Sequence, residues 1–171
     1  MINIKTRNLS SYKKAYNPAL LKKIAERILE GEGFTDKNYE LSLVFCNDDF
    51  IREMNNKYRK KNKPTDVLSF SVPSDFPQGK IQPLGEIIIS LETVFNKFPQ
   101  NPDAIKDEIS LLFCHGLLHL LGYVHDTTQQ RNQMIEKQAK YLGIDKKLAW
   151  IKYPGKANKK EDRPLSCLCN E

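Results

Sequence analysis

The chain has 171 residues, with 27 Lys and Arg against 21 Asp and Glu and a formal net charge of +6 at pH 7. That length suits one domain with a real hydrophobic core, and no run approaches the roughly 18 apolar residues of a membrane span. The opening MINIKTRNLSSYKK has no apolar run behind its charges and does not read as a secretory signal. The four cysteines form no disulfide framework, so a cytoplasmic protein is expected.

Taken in chain order, Ile2 to Arg7 alternates apolar and polar residues and predicts a short strand. Asn17-Pro18 opens a helix, proline being tolerated at the first helical position. Its apolar stripe is Leu20, Leu21, Ile24, Ile28 and Leu29, and Gly31 to Gly33 end it. Tyr39 to Phe45 alternates again as a strand. Asn47 or Asp48 is placed to cap a helix carrying Phe50, Ile51, Met54 and Tyr58, which Pro64 cannot continue.

Asp66 to Ser71 is rich in strand formers, and a loop with Pro73, Pro77 and Gly79 follows. The nearly continuous apolar run around Leu84 to Ile89 predicts a central strand. Ser90 is placed to cap a short helix through Phe98, and Asn101-Pro102 opens a long apolar helix to Leu121. A last helix runs from about Thr127 to Leu142. The expected fold is α+β: a single domain over residues 1–150, with a small mixed sheet of about four strands, about five helices and a central helix bearing histidines. Residues 151–171 are polar and are expected to form a flexible tail. The Cys167-X-Cys169 pair in that tail is expected to be free, since two ligands alone make a weak metal site.

All three histidines fall within eleven positions, in HGLLHLLGYVH: His115, His119 and His125. On a helix, His115 and His119 share one face, with Cβ atoms roughly 5–6 Å apart. Gly122 can take the left-handed conformation that ends a helix and turns the chain back, bringing His125 toward the other two rings. Three imidazoles on one point favour a transition metal, Zn²⁺ first, and three protein ligands leave a fourth position open, as in catalytic sites. The same spacing occurs in metzincin proteases, but the residue after the first histidine is Gly116 instead of their glutamate base. The metal cradle is therefore expected without the protease chemistry.

A second cluster is basic. Lys57, Arg59, Lys60, Lys61 and Lys63 place five cations in seven residues around Tyr58. Cations also suit a helix C-terminus, but as a unit they favour a phosphate-bearing partner.

Several segments together resemble the YbeY family of bacterial metal-dependent endoribonucleases that act in ribosomal RNA maturation. They are Asn55-Asn56-Lys57-Tyr58-Arg59, Lys63-Pro64-Thr65-Asp66-Val67-Leu68-Ser69-Phe70, Leu84-Gly85-Glu86-Ile87 and the histidine segment through His125. Met134 and Glu136 fall where that family's last helix shows such residues. The resemblance implies a single-strand-specific endoribonuclease with one Zn²⁺ per chain on His115, His119 and His125. It also implies Arg59 and His115 as catalytic residues, precursor rRNA as substrate, and the ribosome or its proteins as partners. Its expected roles are maturation of the small-subunit rRNA 3′ end and ribosome quality control. Family members usually carry an aspartate directly before the third histidine. This chain has Val124 there and Asp126 after it, which leaves open what orients His125.

The chemistry expected is metal-assisted phosphodiester cleavage. Arg59 would hold the phosphate, while Lys57, Lys60, Lys61 and Lys63 track the RNA backbone. Tyr58 or Tyr123 either stacks on a base or belongs to the core. Glu86, Asp66 and Asp126 are the candidate general bases by chemistry, with a buried structural role the default for Glu86 and Asp66, and the RNA 2′-hydroxyl is an alternative nucleophile to water. The rival expectations are a ribosome-assembly protein with a structural metal and a zinc hydrolase or protease of another substrate class.

Overall fold

The computed structural model describes residues 1–150 apart from positions 14, 74 and 78; the polar segment 151–171, with Cys167 and Cys169, lies outside the described residues. The elements follow the order β1 (Ile2–Asn8), α1 (Pro18–Gly31), β2 (Asn38–Cys46), α2 (Asp48–Arg59), β3 (Val67–Ser71), β4 (Ile81–Ser90), α3 (Leu91–Lys97), α4 (Pro102–Leu120) and α5 (Thr128–Leu142). The four strands form one mixed sheet in the order β1-β2-β4-β3. β1 and β4 run parallel to β2, while β3 runs antiparallel to β4. The expected α+β fold and the central place of β4 are both present.

Side chains alternate across a strand, and the sheet uses both faces. Leu41, Leu43 and Phe45 of β2 join Ile87 and Ile89 of β4 in the larger core, which α1, α3, α4 and α5 cover. Val44, Cys46, Leu68 and Ile88 point the other way and pack with Ile51 of α2. α4 is the spine of the larger core, with every residue from Leu111 to His119 buried. Each fully buried Leu, Ile or Phe there contributes about 1.5–3 kcal/mol of transfer free energy. Among the described residues, no helix is long and apolar enough to cross a membrane.

The helix starts are specified locally, with one exception. The Asn17 side chain accepts from the amides of Ala19 and Leu20, Ser90 from Thr93, and Asn101 from Ala104. Thr127 and Gln130 form a reciprocal capping box. The exception is α2, where Asn47 occupies the cap position without capping. Its Oδ1 instead accepts from the Ser11 amide at 3.2 Å, and the Asp48 amide donates to Glu92 Oε2 at 2.9 Å. Asp48 does not cap either: its carboxylate accepts from the Ser90 and Thr93 hydroxyls. The expected local cap is thus replaced by a carboxylate from α3.

Two glycines set how closely α4 and β3 approach β4. Gly85 has φ +136°, and a Cβ on it would run into the Phe70 carbonyl on β3. A Cβ on Gly116 would lie 3.1 Å from Ile87 Cγ2. Position 116 therefore faces the sheet, where a glutamate would have to enter the helix–sheet packing.

Candidate metal centre

The long helix delivers His115 and His119 one turn apart, and its end delivers the third ring. At that end, Gly122 (φ +95°) lets the amides of Gly122 and Tyr123 bond back to the carbonyls of His119 and Leu118, at 2.9 and 3.0 Å. This is a glycine-terminated helix cap of the kind expected from the sequence. The chain reverses and lays His125 against the first two rings, with centroid separations of 5.2 Å to His115 and 4.9 Å to His119. One ligand atom from each ring lies within 4.8 Å of the others, and all three side chains are buried.

The hydrogen bonds determine which nitrogens face the centre. His119 Nδ1 lies 2.6 Å from the Tyr123 carbonyl oxygen, so Nδ1 carries the proton and donates. His115 Nδ1 lies 2.8 Å from Gln138 Oε1. The Gln138 amide is oriented by its other end, because Nε2 donates to the Ala149 carbonyl. Its oxygen must therefore face His115, and His115 Nδ1 must donate. Both Nε2 atoms are left as bare lone pairs, and they face each other across 2.9 Å. Two acceptors cannot bond one another, so this contact calls for a cation between them. The separation is a little under the roughly 3.3 Å that ligands at about 2.05 Å would span around a tetrahedral ion. His125 supplies a third nitrogen set, since both its Nδ1 and Nε2 are buried without a hydrogen-bond partner. The three histidines thus fit a metal ion by donor type, protonation state and spacing.

The electrostatics agree. Burial, with His119 and His125 alongside, holds His115 well below the usual imidazole range. Burial likewise brings His119 down to about 4, against the opposing bond to Tyr123. His125 is lowered first by burial; the polar backbone of His125 itself and then Asp126 oppose this, while Arg131 and Arg59 add to it. Neutral imidazoles are the form that binds a metal.

Around the centre, the sequence-derived candidates separate. Arg59, half-buried at the end of α2, acts electrostatically on both His119 and His125. Lys57, Lys60, Lys61 and Lys63 are exposed beside it. Buried Asn55 organises this turn: its Nδ2 donates to the Lys63 carbonyl at 2.7 Å, and Lys60 takes the left-handed conformation (φ 56°). Tyr58 is 47% exposed and packs on Phe70 at 4.9 Å. Tyr123 is committed elsewhere, its hydroxyl donating to Glu32 at 2.6 Å.

Of the three candidate bases, only Asp126 influences a site histidine. Glu86 accepts from Ser42 at 2.8 Å, and alternation along β4 puts it on the Ile88 side of the sheet, away from α4. Asp66 is buried with Lys97 and Glu108 as its charged neighbours, and burial pushes its carboxyl up to about 6. Met134 belongs to the core, and exposed Glu136 pairs with Lys146 at 2.6 Å. Gln138, Ala149 and Trp150 were not singled out from the sequence. Gln138 had a signal: it is a polar residue on the Met134–Tyr141 face of α5, at i+4 from Met134.

Fold and site together define an α+β domain built around a buried three-histidine centre able to hold a metal ion. The family model described as Endoribonuclease YbeY matches residues 2–144. Proteins named Endoribonuclease YbeY from Heliobacterium modesticaldum and Clostridioides difficile are each 39% identical; the match takes in 72% of this chain in both cases and 80% and 84% of theirs. The protein of that name from Nautilia profundicola is 46% identical over 67% of this chain and 74% of its own. The chain belongs to the Endoribonuclease YbeY family.

Proposed function

We propose that this protein is a metal-dependent endoribonuclease that cuts single-stranded RNA in the cytoplasm. Its substrate is precursor ribosomal RNA, including the 3′ end of the small-subunit rRNA, and it serves ribosome quality control in contact with the ribosome or its proteins. One observation carries the metal part of this reading: two unprotonated Nε2 atoms face each other at 2.9 Å beside a buried, unpartnered third imidazole. His115, His119 and His125 hold the ion, one per chain, and an all-nitrogen set of three ligands favours Zn²⁺. When bound, the ion supplies Lewis-acid polarisation at the phosphodiester.

The chain's own residues do the rest. Arg59 presents its guanidinium fork to the phosphate and offsets negative charge developing there. Lys57, Lys60, Lys61 and Lys63 bind the backbone on either side without reading sequence. Asp126, exposed next to His125 and acting on it electrostatically, is our candidate to take a proton from the attacking group, either water or the RNA 2′-hydroxyl. A protease reading is disfavoured by Gly116, whose missing side chain would point at Ile87.

The test pairs metal analysis with cleavage of single-stranded RNA, on wild type and His115→Ala. The expected result is about one zinc per chain and cleavage lost in the variant at intact fold. Metal at that stoichiometry with equal trace cleavage in both would instead leave a ribosome-binding protein with a structural ion. The product ends divide the mechanism: a 2′,3′-cyclic phosphate assigns the attack to the RNA itself, and a 5′-phosphate assigns it to water.

A further inference from the structure

His115 and His119 are each oriented by a hydrogen bond from Nδ1, but among the described residues neither ring nitrogen of His125 has such a partner. Val124 before it carries no polar side-chain group, and among the described residues exposed Asp126 makes no hydrogen bond to the His125 ring, both of whose nitrogens are unpartnered. What lies against that ring is Trp150, edge-on at a centroid separation of 5.7 Å and an interplanar angle of 85°. Trp150 is itself held by Arg131, whose guanidinium carbon lies 5.6 Å from the indole centroid.

The segment that brings Trp150 there is built, not incidental. Asp145 Oδ1 accepts from the Lys147 amide at 2.7 Å, and the Asp145 carbonyl accepts from Leu148 at 2.9 Å. Lys146 ties the turn to Glu136 of α5. Ala149, fully buried, offers its carbonyl to Gln138 and thereby fixes the amide that sets the His115 proton. One short turn therefore touches two of the three histidines, His125 directly and His115 through Gln138. It lies beyond the residues 2–144 that the family model matches.

We infer that Ala149 and Trp150 are positioning residues of the metal centre, and that Trp150 holds the His125 ring by packing, in place of the kind of hydrogen bond that holds each of the other two rings. The inference rests on the three histidines binding a metal. An aromatic edge restricts ring rotation without adding negative charge, so it orients His125 while leaving the centre's net charge set by the ion. Outer partners of ligating histidines typically change metal affinity about 10–100-fold when removed.

The probe is Co²⁺, which reports its coordination geometry through its visible absorption, added to full-length protein and titrated against a chromophoric chelator. Trp150 is the sole tryptophan of the chain, so its emission reports proximity directly, and stoichiometric quenching by bound Co²⁺ is expected in the wild type. Trp150→Ala is expected to bind Co²⁺ about tenfold more weakly and with an altered visible band. Trp150→Phe, which restores an aromatic edge, recovers most of the affinity. Leu148→Ala, on the same turn but 66% exposed, stays at the wild-type value. Wild-type affinity and spectrum in Trp150→Ala overturn the inference while leaving the metal centre intact. Should that variant not fold, bound Co²⁺ that fails to quench wild-type emission overturns it equally. A wild type that binds no Co²⁺ removes the metal reading itself, and this inference with it.

Discussion

Two polar clusters are buried along α4, and they solve the same problem in opposite ways. Near the start of the helix, Glu108 pairs with Lys97 of α3, and Asp66, just before β3, completes the group. Two turns further along, His115 and His119 meet His125. The first cluster contains its own cation. The second, among the described residues, is three imidazoles with lone pairs directed at a common point and no positive group between them. Buried charge persists where it is paired, and an unpaired buried polar group costs stability. The Lys97 cluster is electrostatically closed and structural; the histidine cluster is open and asks for a cation from outside. Polarity in a core is thus not by itself a functional signal. What distinguishes the candidate metal centre is an unmet demand for charge.

The largest effect should come from opening the closed cluster. Lys97→Met leaves Glu108 and Asp66 without their cation, and a loss of about 3–5 kcal/mol in urea unfolding is expected. A loss under about 1 kcal/mol would show that Lys97 is not what closes the cluster. Next in size is the effect of closing the open one. Zinc at about 1,000 times its dissociation constant should stabilise the wild type by about 4 kcal/mol, and chelation should reverse this. The same increment is expected on the Lys97→Met background, because sites two turns apart with no shared partner add independently. A zinc increment that changed with Lys97 would mean the two clusters are one network.

The difference between the clusters was only half legible in the sequence. The spacing of His115 and His119, the Asn101-Pro102 start and Gly122 all act within a turn or two of chain, so the histidine helix and its cap could be read directly. A buried structural role is the sequence default for Asp66, but nothing local reveals its neighbours, because Lys97 and Glu108 come from other elements. The same holds for Glu86, whose partner Ser42 lies on the neighbouring strand β2. Asn47 had the right chemistry to cap α2, yet Glu92 from α3 took that role. Tyr123 was left between core and base-stacking, and its bond to Glu32, ninety-one positions away, decides for the core. Gln138 and Trp150 reach the histidines only through tertiary contacts, which residue periodicity does not encode.

A smaller test uses pH, because the clusters respond to it with opposite sign. The folded pKa of His119 is about 4, below its ordinary 6.5. The unfolded chain therefore binds the proton first, and stability is lost as pH falls from 6.5 toward 4. Asp66 is raised from 3.8 to about 6. Its contribution is full below 3.8 and is lost as pH rises through 6, so it gains on acidification over much the same window. In the presence of chelator, Asp66→Asn should therefore lose stability more steeply than wild type between pH 6 and 4, by on the order of 2–3 kcal/mol. Equal slopes in urea titrations across that range would show that Asp66 titrates normally and that its burial is relieved in solution.

The smallest effects belong to the lysines, and they separate a demand for cations from a supply of them. Lys57, Lys60, Lys61 and Lys63 are exposed and positive, so each is expected to attract phosphate without contributing to the centre. Replacing any one by alanine should reduce the slope of log affinity for single-stranded RNA against log salt by about 0.7. Zinc affinity should not change. Arg59 differs because its charge is felt at His119 and His125. Arg59→Ala is expected to lower the cleavage rate by about 100-fold or more, as loss of a donor to developing charge does, and to shift the salt slope no more than a lysine does. Should one of the lysines match Arg59 in its effect on rate, the boundary between backbone binding and the reacting centre would run through residues 57–63 themselves, and the open cluster would extend to the surface.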